Sequence, residues 1–315
     1  MDKPFKTHSE LIALMNSRGL KTDRRTDFIL KREGYYAVVN GYKDLFIDSS
    51  AKQSAGGEDR FKEGAEFAEL YSLFVMDRHL RNVLFRYITL AEATLKSVAT
   101  YEFCAVHKDN NEAYLDQTSY RSDGNYPELI PTLIGEMNSI LGRKKKPRRN
   151  KPYLDHYISK HDNVPLWVIM NNLDLGQAFR FFDYLPESNR FAIARSFQAL
   201  YAETHPEQKR ITHKEIKNAF DHIKDFRNRC AHDERLYCAR IDKSKSTTFK
   251  DVTEDLELVL TAQQFNCLTS DIAAIVKDAG TAIHSVELND ILTLMGYSSF
   301  DEIAQPQTSR APAAG

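Results

Sequence analysis

The sequence lacks the features that mark disulfide-linked, metal-binding and membrane proteins. Only four cysteines occur in 315 residues, with no CxxC pair and no cluster at metal-ligand spacing. No apolar run approaches the length of a membrane span, and residues 1–5 do not begin a signal peptide. Neither a glycine-rich phosphate loop nor a Ser-His-Asp arrangement stands out. We therefore expect a reduced, cytoplasmic protein that uses no metal ion and no cofactor.

The sequence also lacks an excess of charge of either sign. Lys and Arg number 43 against 44 Asp and Glu, which gives a formal net charge of −1. No global positive field attracts nucleic acid, so any nucleic-acid surface must be a local patch. With 42% hydrophobic and 28% charged residues, the chain has the composition of a folded globular protein.

Apolar residues recur at helical spacing through most of the chain, which predicts an all-α fold. The longest stretch runs from Phe67 to Tyr101 without a proline or glycine. We expect an N-terminal helical subdomain and linker at 1–60 and a main helical domain at 61–240. Within that domain, residues 103–163 read as an irregular basic insertion with weak helical pieces. A helical extension at 241–300 and a disordered tail at 301–315 complete the scheme.

A polar run interrupts the apolar face of a predicted helix near residue 230. The apolar series Ile216, Phe220 and Ile223 places Arg227, Asn228 and His232 on or beside a buried face. Arg227 and His232, five apart, point about 140° from each other, so one helix presents them awkwardly to one phosphate. Two copies around a two-fold axis could share such a site. The alternative is structural, with His232 capping the helix end and Arg227 paired to a carboxylate.

The full run Arg-Asn-x-Cys-Ala-His-x-x-x-Leu-Tyr at 227–237 is far more specific than the Arg/His spacing. It closely resembles the signature of the Abi-like (AbiD/AbiF) abortive-infection proteins of bacteria, which belong to the HEPN superfamily. Three further blocks resemble the family in the right order: Gly34-Tyr35-Tyr36 with Gly41-Tyr42, Asp77-x3-Arg81-x10-Glu92, and Pro165-Leu166-Trp167-Val168. Asn171 departs from the pattern, because many members carry Glu there.

The resemblance implies a HEPN-type helical bundle and a metal-independent endoribonuclease. Such an enzyme is the toxin of an abortive-infection (anti-phage) or toxin–antitoxin system and cleaves RNA by attack of the 2′-hydroxyl. Carried over, His232 would act on the 2′-hydroxyl or on the 5′-oxygen leaving group. Arg227 would hold the scissile phosphate, and Asn228 would orient either residue or bind the ribose. The implied partners are an RNA substrate, a second copy in a homodimer or higher homo-oligomer, and a small non-coding RNA antitoxin.

Three charged residues of the long helix are candidate supporting residues: Asp77, Arg81 and Glu92. They stand close to the line of the apolar stripe. In one interpretation they are solvated flank residues or i,i+4 pairs such as Asp77–Arg81. In the other, Glu92 or Asp77 reaches Arg227 and fixes its guanidinium.

A basic run is the outstanding local positive patch of this nearly neutral chain. Tyrosines at 153 and 157 follow it, a combination that suits phosphate contacts with base stacking. The other interpretation is a solvated loop. The candidate RNA-binding residues are Arg143, Lys144, Lys145, Lys146, Arg148, Arg149 and Lys151.

Two other function classes stay open at this point. The first is a non-catalytic RNA-binding or dimerisation module, since some HEPN proteins are not nucleases. The second is a DNA-binding regulator that uses a helix-turn-helix within residues 8–46, although aromatic side chains dominate where Arg, Asn and Gln should read bases. The segment around Trp167, the only tryptophan, favours a helix that anchors the core.

Overall fold

A computed structural model describes residues 4–50, 59–143, 152–161, 163–241 and 246–304. The described residues contain no β-strand, only isolated bridges such as Ile47–Phe61, and the predicted all-α class is confirmed. The α-helices are α1 (His8–Ser17), α2 (Thr26–Glu33), α3 (Phe67–Val106), α4 (Tyr126–Ile140), α5 (Pro152–Lys160), α6 (Leu166–Ile169), α7 (Leu175–Tyr184), α8 (Glu187–Thr204), α9 (His213–Ala231), α10 (Phe249–Glu257), α11 (Ala262–Ala282), α12 (Leu288–Met295) and α13 (Asp301–Ala304). Short π- or 3-10 turns cover Tyr36–Asn40, Lys43–Phe46, Ala113–Leu115, Gln117–Ser119 and Met170–Asn172. No helix in these ranges is long and apolar enough to cross a membrane.

Local sequence signals explain where several helices begin. The Thr7 hydroxyl accepts from the Glu10 amide while the Glu10 carboxylate accepts from Thr7, a capping box at the start of α1. Asp174 and Gln177 form the same reciprocal pair at the start of α7. Helix α3 runs for 40 residues because nothing in its sequence breaks it.

Helix α4 lies inside the stretch that the sequence predicted to be irregular with weak helical pieces, and it is a continuous helix of 15 residues. Pro127 sits in its first turn, where the missing N–H is harmless. Pro131 lies further inside and cannot donate to the Pro127 carbonyl, one helical turn earlier. The side-chain amide of Gln117 donates to that carbonyl at 3.1 Å instead. A side chain from outside the helix thus satisfies the carbonyl and lets the helix continue past Pro131.

The structure divides into two compact units that are not contiguous in sequence. The first comprises residues 1–85, 229–251 and 266–315, and the second comprises residues 86–228 and 252–265. The predicted N-terminal subdomain and most of the predicted C-terminal extension fall in the first unit, and the domain boundaries drawn from the sequence stay predictions. Helix α13 occupies residues 301–304 of the predicted disordered tail, and the rest of that tail lies outside the described residues.

In the first unit, polar contacts join elements from both ends of the chain. The buried Glu69 carboxylate of α3 accepts from the backbone amides of His284 and Ser285, at 3.0 and 3.2 Å, just before α12. Arg78, also in α3, forms a two-pronged pair with Glu33 at the end of α2, with distances of 3.2 and 2.8 Å. These contacts hold α2 and the turn before α12 against the first part of α3.

In the second unit, aromatic contacts form the core. Phe103 packs edge-on against Phe181 with ring centroids 5.2 Å apart, and Phe197 packs on Phe220 at 6.1 Å. The hydroxyl of Tyr114, which is fully buried, donates to the Val164 carbonyl at 2.7 Å. Because Phe220 of α9 packs in this core, the core determines which face of α9 is buried. The polar run follows at the C-terminal end of the same helix.

Two glycine C-caps share a hydrogen-bond pattern but differ in their surroundings. The two glycines are Gly19 after α1, with φ +92°, and Gly296 after α12, with φ +95°. Each glycine amide donates to the carbonyl three residues earlier, and the amide of the following residue donates to the carbonyl five residues before itself. A Cβ at Gly296 would lie 2.8 Å from the Thr248 Cβ, and still closer to its hydroxyl. A Cβ at Gly19 would meet only the Phe61 carbonyl at 3.6 Å.

Gly296→Ala is therefore predicted to destabilise the protein more than Gly19→Ala. Gly19→Ala should cost about 1–2 kcal/mol from the left-handed backbone alone. Gly296→Ala should add about 1–3 kcal/mol of overpacking. Urea unfolding of both variants beside the wild type measures the difference. Equal losses would contradict the close approach of Thr248.

Candidate functional site

The polar run predicted near residue 230 lies at the C-terminal end of α9. The face of α9 that carries Ile216, Phe220, Ile223 and Phe226 is fully buried. Arg227 is half-buried, whereas Asn228 and His232 are exposed. The boundary between the two units falls between Asn228 and Arg229, so Arg227 and Asn228 belong to the second unit and His232 to the first.

The contacts of these side chains differ from those that a purely structural role predicts. The Arg227 guanidinium contacts the Asn228 side-chain oxygen at 3.4 Å. Within the described ranges, Arg227 has no carboxylate partner and the His232 side chain has no hydrogen-bond partner. His232 therefore does not cap α9 through its ring, and both side chains are available to an external ligand.

A single buried carboxylate holds the chain that follows His232. Asp77 of α3 is fully buried and accepts the Tyr42 hydroxyl and the Arg81 guanidinium, each at 2.6 Å. It also accepts the backbone amides of Leu236 and Tyr237, at 3.1 and 2.7 Å. Four donors thus compensate one desolvated charge.

Arg81 also contacts the segment that follows His232. Its Nη2 lies 2.6 Å from a carboxylate oxygen of Asp233, and its Nη1 donates to the Glu234 carbonyl at 3.2 Å. Asp233 adopts φ +54°, a left-handed conformation that Asp tolerates better than most residues. The turn directly after His232 is therefore fixed by an ion pair and a backbone contact to α3.

The Gly41-Tyr42 block meets this segment as well. Arg235 donates to the Gly41 carbonyl at 2.8 Å, and the rings of Tyr42 and Tyr237 stack 5.9 Å apart. Burial raises the pKa of the Tyr42 hydroxyl, which therefore remains a neutral donor to Asp77. From the sequence, residues 8–46 were expected to pack against the main helical body, and the hydrogen bond from Tyr42 to Asp77 was not predicted. The sequence feature that could have indicated it is the Gly41-Tyr42 block.

The structure distinguishes the two interpretations of Asp77, Arg81 and Glu92. The predicted i,i+4 pair Asp77–Arg81 is present, but it is buried and not solvated. Glu92 pairs with Lys96 at 2.6 Å, and Arg227 is not among its contacts in the described residues. Asp77 and Arg81 therefore support the backbone after His232, which is a different role from fixing the Arg227 guanidinium.

Only the first residue of the predicted basic patch is described. Arg143 forms a two-pronged pair with Glu112, with distances of 3.2 and 2.6 Å. Its charge is already compensated, which makes it a poorer candidate for phosphate than the sequence suggested. Lys144, Lys145, Lys146, Arg148, Arg149 and Lys151 lie outside the described residues, and their RNA contact stays a prediction.

The described residues also include no group of three or more His, Cys, Asp or Glu side chains placed to hold a metal ion. The side chains that the motif offers at the end of α9 are instead a guanidinium, an amide and an imidazole. These groups bind phosphate, donate hydrogen bonds and transfer protons.

The fold and this site define an all-α protein whose accessible Arg, Asn and His side chains lie around the end of a long amphipathic helix. The family model for the Abi-like protein family matches residues 28–238, about two thirds of the chain. The chain belongs to the Abi-like protein family, as the resemblance of its motifs predicted. Neither the search of curated proteins nor that of solved structures gave a match.

Replacing the buried carboxylate is predicted to cost far more stability than replacing an exposed one in a similar pair. Asp27 and Lys31 form an i,i+4 pair with the same 2.6 Å separation as Asp77 and Arg81, but on the surface of α2. Asp77→Asn removes the buried counter-charge of Arg81, which keeps only the exposed Asp233 carboxylate, and replaces one acceptor oxygen by a donor group. The substitution should cost about 3–5 kcal/mol. Asp27→Asn should change stability by no more than about 0.5 kcal/mol. Urea unfolding compares the two, and similar losses would contradict the central role of Asp77.

The cysteine within the motif is predicted to resist alkylation. Burial raises the pKa of the Cys230 thiol to about 12, so almost no thiolate exists at pH 8. Cys267 is exposed and should react first with iodoacetamide. Peptide mapping by mass spectrometry gives the order, and unfolding in urea should abolish the difference. Fast labelling of Cys230 in the folded protein would contradict the burial of this thiol.

Proposed function

We propose that this Abi-like protein is the toxin component of an abortive-infection or toxin–antitoxin system and acts as a metal-independent, HEPN-type endoribonuclease. Membership of the Abi-like family implies an abortive-infection type of function. The observation that carries the finer proposal is the accessibility of the motif. Arg227, Asn228 and His232 all lie within the matched region, and His232 has no hydrogen-bond partner among the described residues.

The chemistry of these groups suits cleavage of RNA through its own 2′-hydroxyl. His232 takes the proton from the 2′-hydroxyl, whose oxygen attacks the adjacent phosphorus. The bond from phosphorus to the 5′-oxygen breaks, and that oxygen leaves with a proton from a general acid. The products are a 2′,3′-cyclic phosphate and a 5′-hydroxyl. DNA lacks the 2′-hydroxyl and is not a substrate.

Arg227 and Asn228 contribute phosphate binding and orientation. A guanidinium offers a planar, two-pronged donor array to the phosphate oxygens and remains charged at every relevant pH. It stabilises the charge that develops on those oxygens in the transition state. Asn228 already contacts the Arg227 guanidinium at 3.4 Å, so it can steer that group or bond the ribose.

The contacts of Asp77 and Arg81 give these two residues a positioning role in the proposal. Proton transfer needs the imidazole within hydrogen-bond distance of the reacting oxygen, and a small displacement of the imidazole lowers the rate of cleavage. Arg81 fixes Asp233, the residue after His232, by an ion pair of 2.6 Å. Asp77 fixes the backbone amides three to four residues further on.

A second copy of the chain completes the proposed site. Neutral imidazole cannot be the base and the acid in the same step, and one copy of the motif supplies only one imidazole. A homodimer would bring two motifs to one phosphate. A toxin of this kind also needs restraint, for which we propose a small non-coding RNA antitoxin that binds the basic residues at 143–151.

The proposal predicts that Arg227→Ala and His232→Ala each abolish toxicity and RNA cleavage. Induced wild-type protein should arrest bacterial growth and fragment cellular RNA, and purified protein should cut RNA in EDTA. Each variant should lose at least about 100-fold in cleavage rate, because a general acid or base and a donor to the developing phosphate charge each contribute about that much. The fragments should end in 2′,3′-cyclic phosphate.

Matched controls exist on exposed surfaces of the same chain. Arg195→Ala in α8 and His284→Ala before α12 remove the same side-chain types elsewhere and should keep full activity. Protein levels and unfolding midpoints should match across all five proteins. If the Arg227 and His232 variants behaved like these controls, the pair would be structural and the non-catalytic RNA-binding function would replace the nuclease.

A further inference from the structure

A groove in the second unit lies outside the Arg227/His232 motif. Its volume is about 910 Å³, within the range of small-molecule and nucleotide sites. It is lined by residues of α3 from Thr89 to Ala105, by Lys108 just after that helix, and by Trp167, Met170 and Asn171. The α3 side chains in the lining include several small ones, namely Ala93, Ser97, Thr100, Cys104 and Ala105. A flat ligand can therefore lie close to the helix.

Aromatic side chains that a core would normally bury border this groove. Trp167 is 50% exposed and Tyr101 is 72% exposed. The sequence favoured a core-anchoring role for the Trp167 segment, and its neighbours Leu166 and Ile169 are indeed buried. Trp167 itself is turned towards solvent. Two exposed aromatic faces at one groove form a stacking surface for a planar ring.

A few polar groups converge on the same groove. Lys96 pairs with Glu92 at 2.6 Å, with side chains only 15% and 19% exposed. The Thr100 hydroxyl is buried and has no hydrogen-bond partner in the part of the chain that the structure describes. Thr94, on the same helix, donates to the Leu90 carbonyl in the ordinary way. Thr100 is thus a buried donor and acceptor without a partner among the residues that line the groove.

The lining of the groove also includes an exposed lysine, Lys108. Its ammonium group offers a positive charge to an anionic ligand. The amide of Asn172, next to Asn171 of the lining, donates to the Tyr153 hydroxyl at 3.0 Å, which adds a second aromatic side chain beside the Trp167 segment.

We propose that this groove binds an unpaired nucleotide of single-stranded RNA. The base stacks against Trp167 and Tyr101, the polar edge of the nucleotide meets Glu92, Lys96 and Thr100, and Lys108 contacts phosphate. The choice of RNA as the source of the nucleotide rests on the proposed function, whereas occupation of the groove requires no cleavage.

A second copy of the chain, or a helix of another protein, is the competing occupant. A groove for a helix is lined by apolar anchors at helical spacing. Here a charged pair lies among the lining residues, and a purely apolar helix face would bury it and leave the Thr100 hydroxyl unmatched. A nucleotide provides both the ring and the hydrogen-bonding groups.

The test uses Trp167, the only tryptophan, as the reporter. Full-length protein with His232→Ala, which keeps RNA intact, is titrated with a six-nucleotide single-stranded RNA while tryptophan emission is recorded. Saturable quenching that weakens with salt is expected. Tyr101→Ala should weaken binding at least about fivefold, the effect of one lost stacking contact. Tyr36→Ala removes a tyrosine that is 81% exposed outside the groove and should have no effect.

A second matched pair tests the polar contacts. Thr100→Val should weaken RNA binding, whereas Thr94→Val should not. No quenching, or equal affinity of the Tyr101 and Tyr36 variants, would overturn the proposal. Quenching by free nucleotides but not by the RNA would also overturn it. The proposal would also be overturned if Trp167 emission shifted with protein concentration and Tyr101→Ala dissociated a dimer, because a second copy of the chain would then occupy the groove. Loss of cleavage in His232→Ala with RNA quenching retained separates this site from the proposed catalytic one.

Discussion

One buried carboxylate organises the part of the first unit that bears His232. Asp77 lies in a fully buried position, where an unpaired charge would cost several kcal/mol. It receives donors from three separate stretches of sequence: Tyr42 from the N-terminal region, Arg81 from its own helix, and two amides at 236–237. Because all these donors bond to one carboxylate, the three stretches are fixed together. The carboxylate acts as a point at which chain segments about 160 residues apart meet.

The same compensation explains how a turn in an unfavourable conformation is maintained. Asp233 has φ +54°, which costs a non-glycine residue of order 1 kcal/mol. Arg81 cannot lose its proton, and its second nitrogen is directed at the Asp233 carboxylate. The ion pair of Asp233 is thus linked to the buried pair of Asp77 and Arg81. A rigid anchor immediately after His232 leaves the ring itself exposed, which is the arrangement that an acid–base group requires.

Sequence periodicity predicted the parts of this structure that depend on local signals. The uninterrupted stretch after Phe67 predicted α3, and the apolar spacing before Arg227 predicted the buried face of α9. Spacing also predicted the pair Asp77–Arg81, because residues four apart face the same way on a helix. Spacing could not predict that the pair is buried, since its burial depends on residues far away in the sequence, such as Tyr42 and Leu236. The sequence indicated only weak helical pieces around Pro131. It could not show how a continuous helix tolerates this proline, because a Gln from another segment satisfies the freed carbonyl.

The functions proposed for the motif and for the groove differ because the two sets of side chains recognise different parts of RNA. A guanidinium and an imidazole act on phosphate and ribose, which are identical at every position of an RNA chain. A nuclease with these groups alone would have no means of choosing where to cut. Discrimination needs contact with a base, and unpaired bases are recognised by stacking and by their hydrogen-bonding edges. The exposed Trp167 and Tyr101 offer the first, and Thr100 with the Glu92–Lys96 pair offers the second. Selectivity for unpaired RNA would then reside in a surface that takes no part in the chemical step.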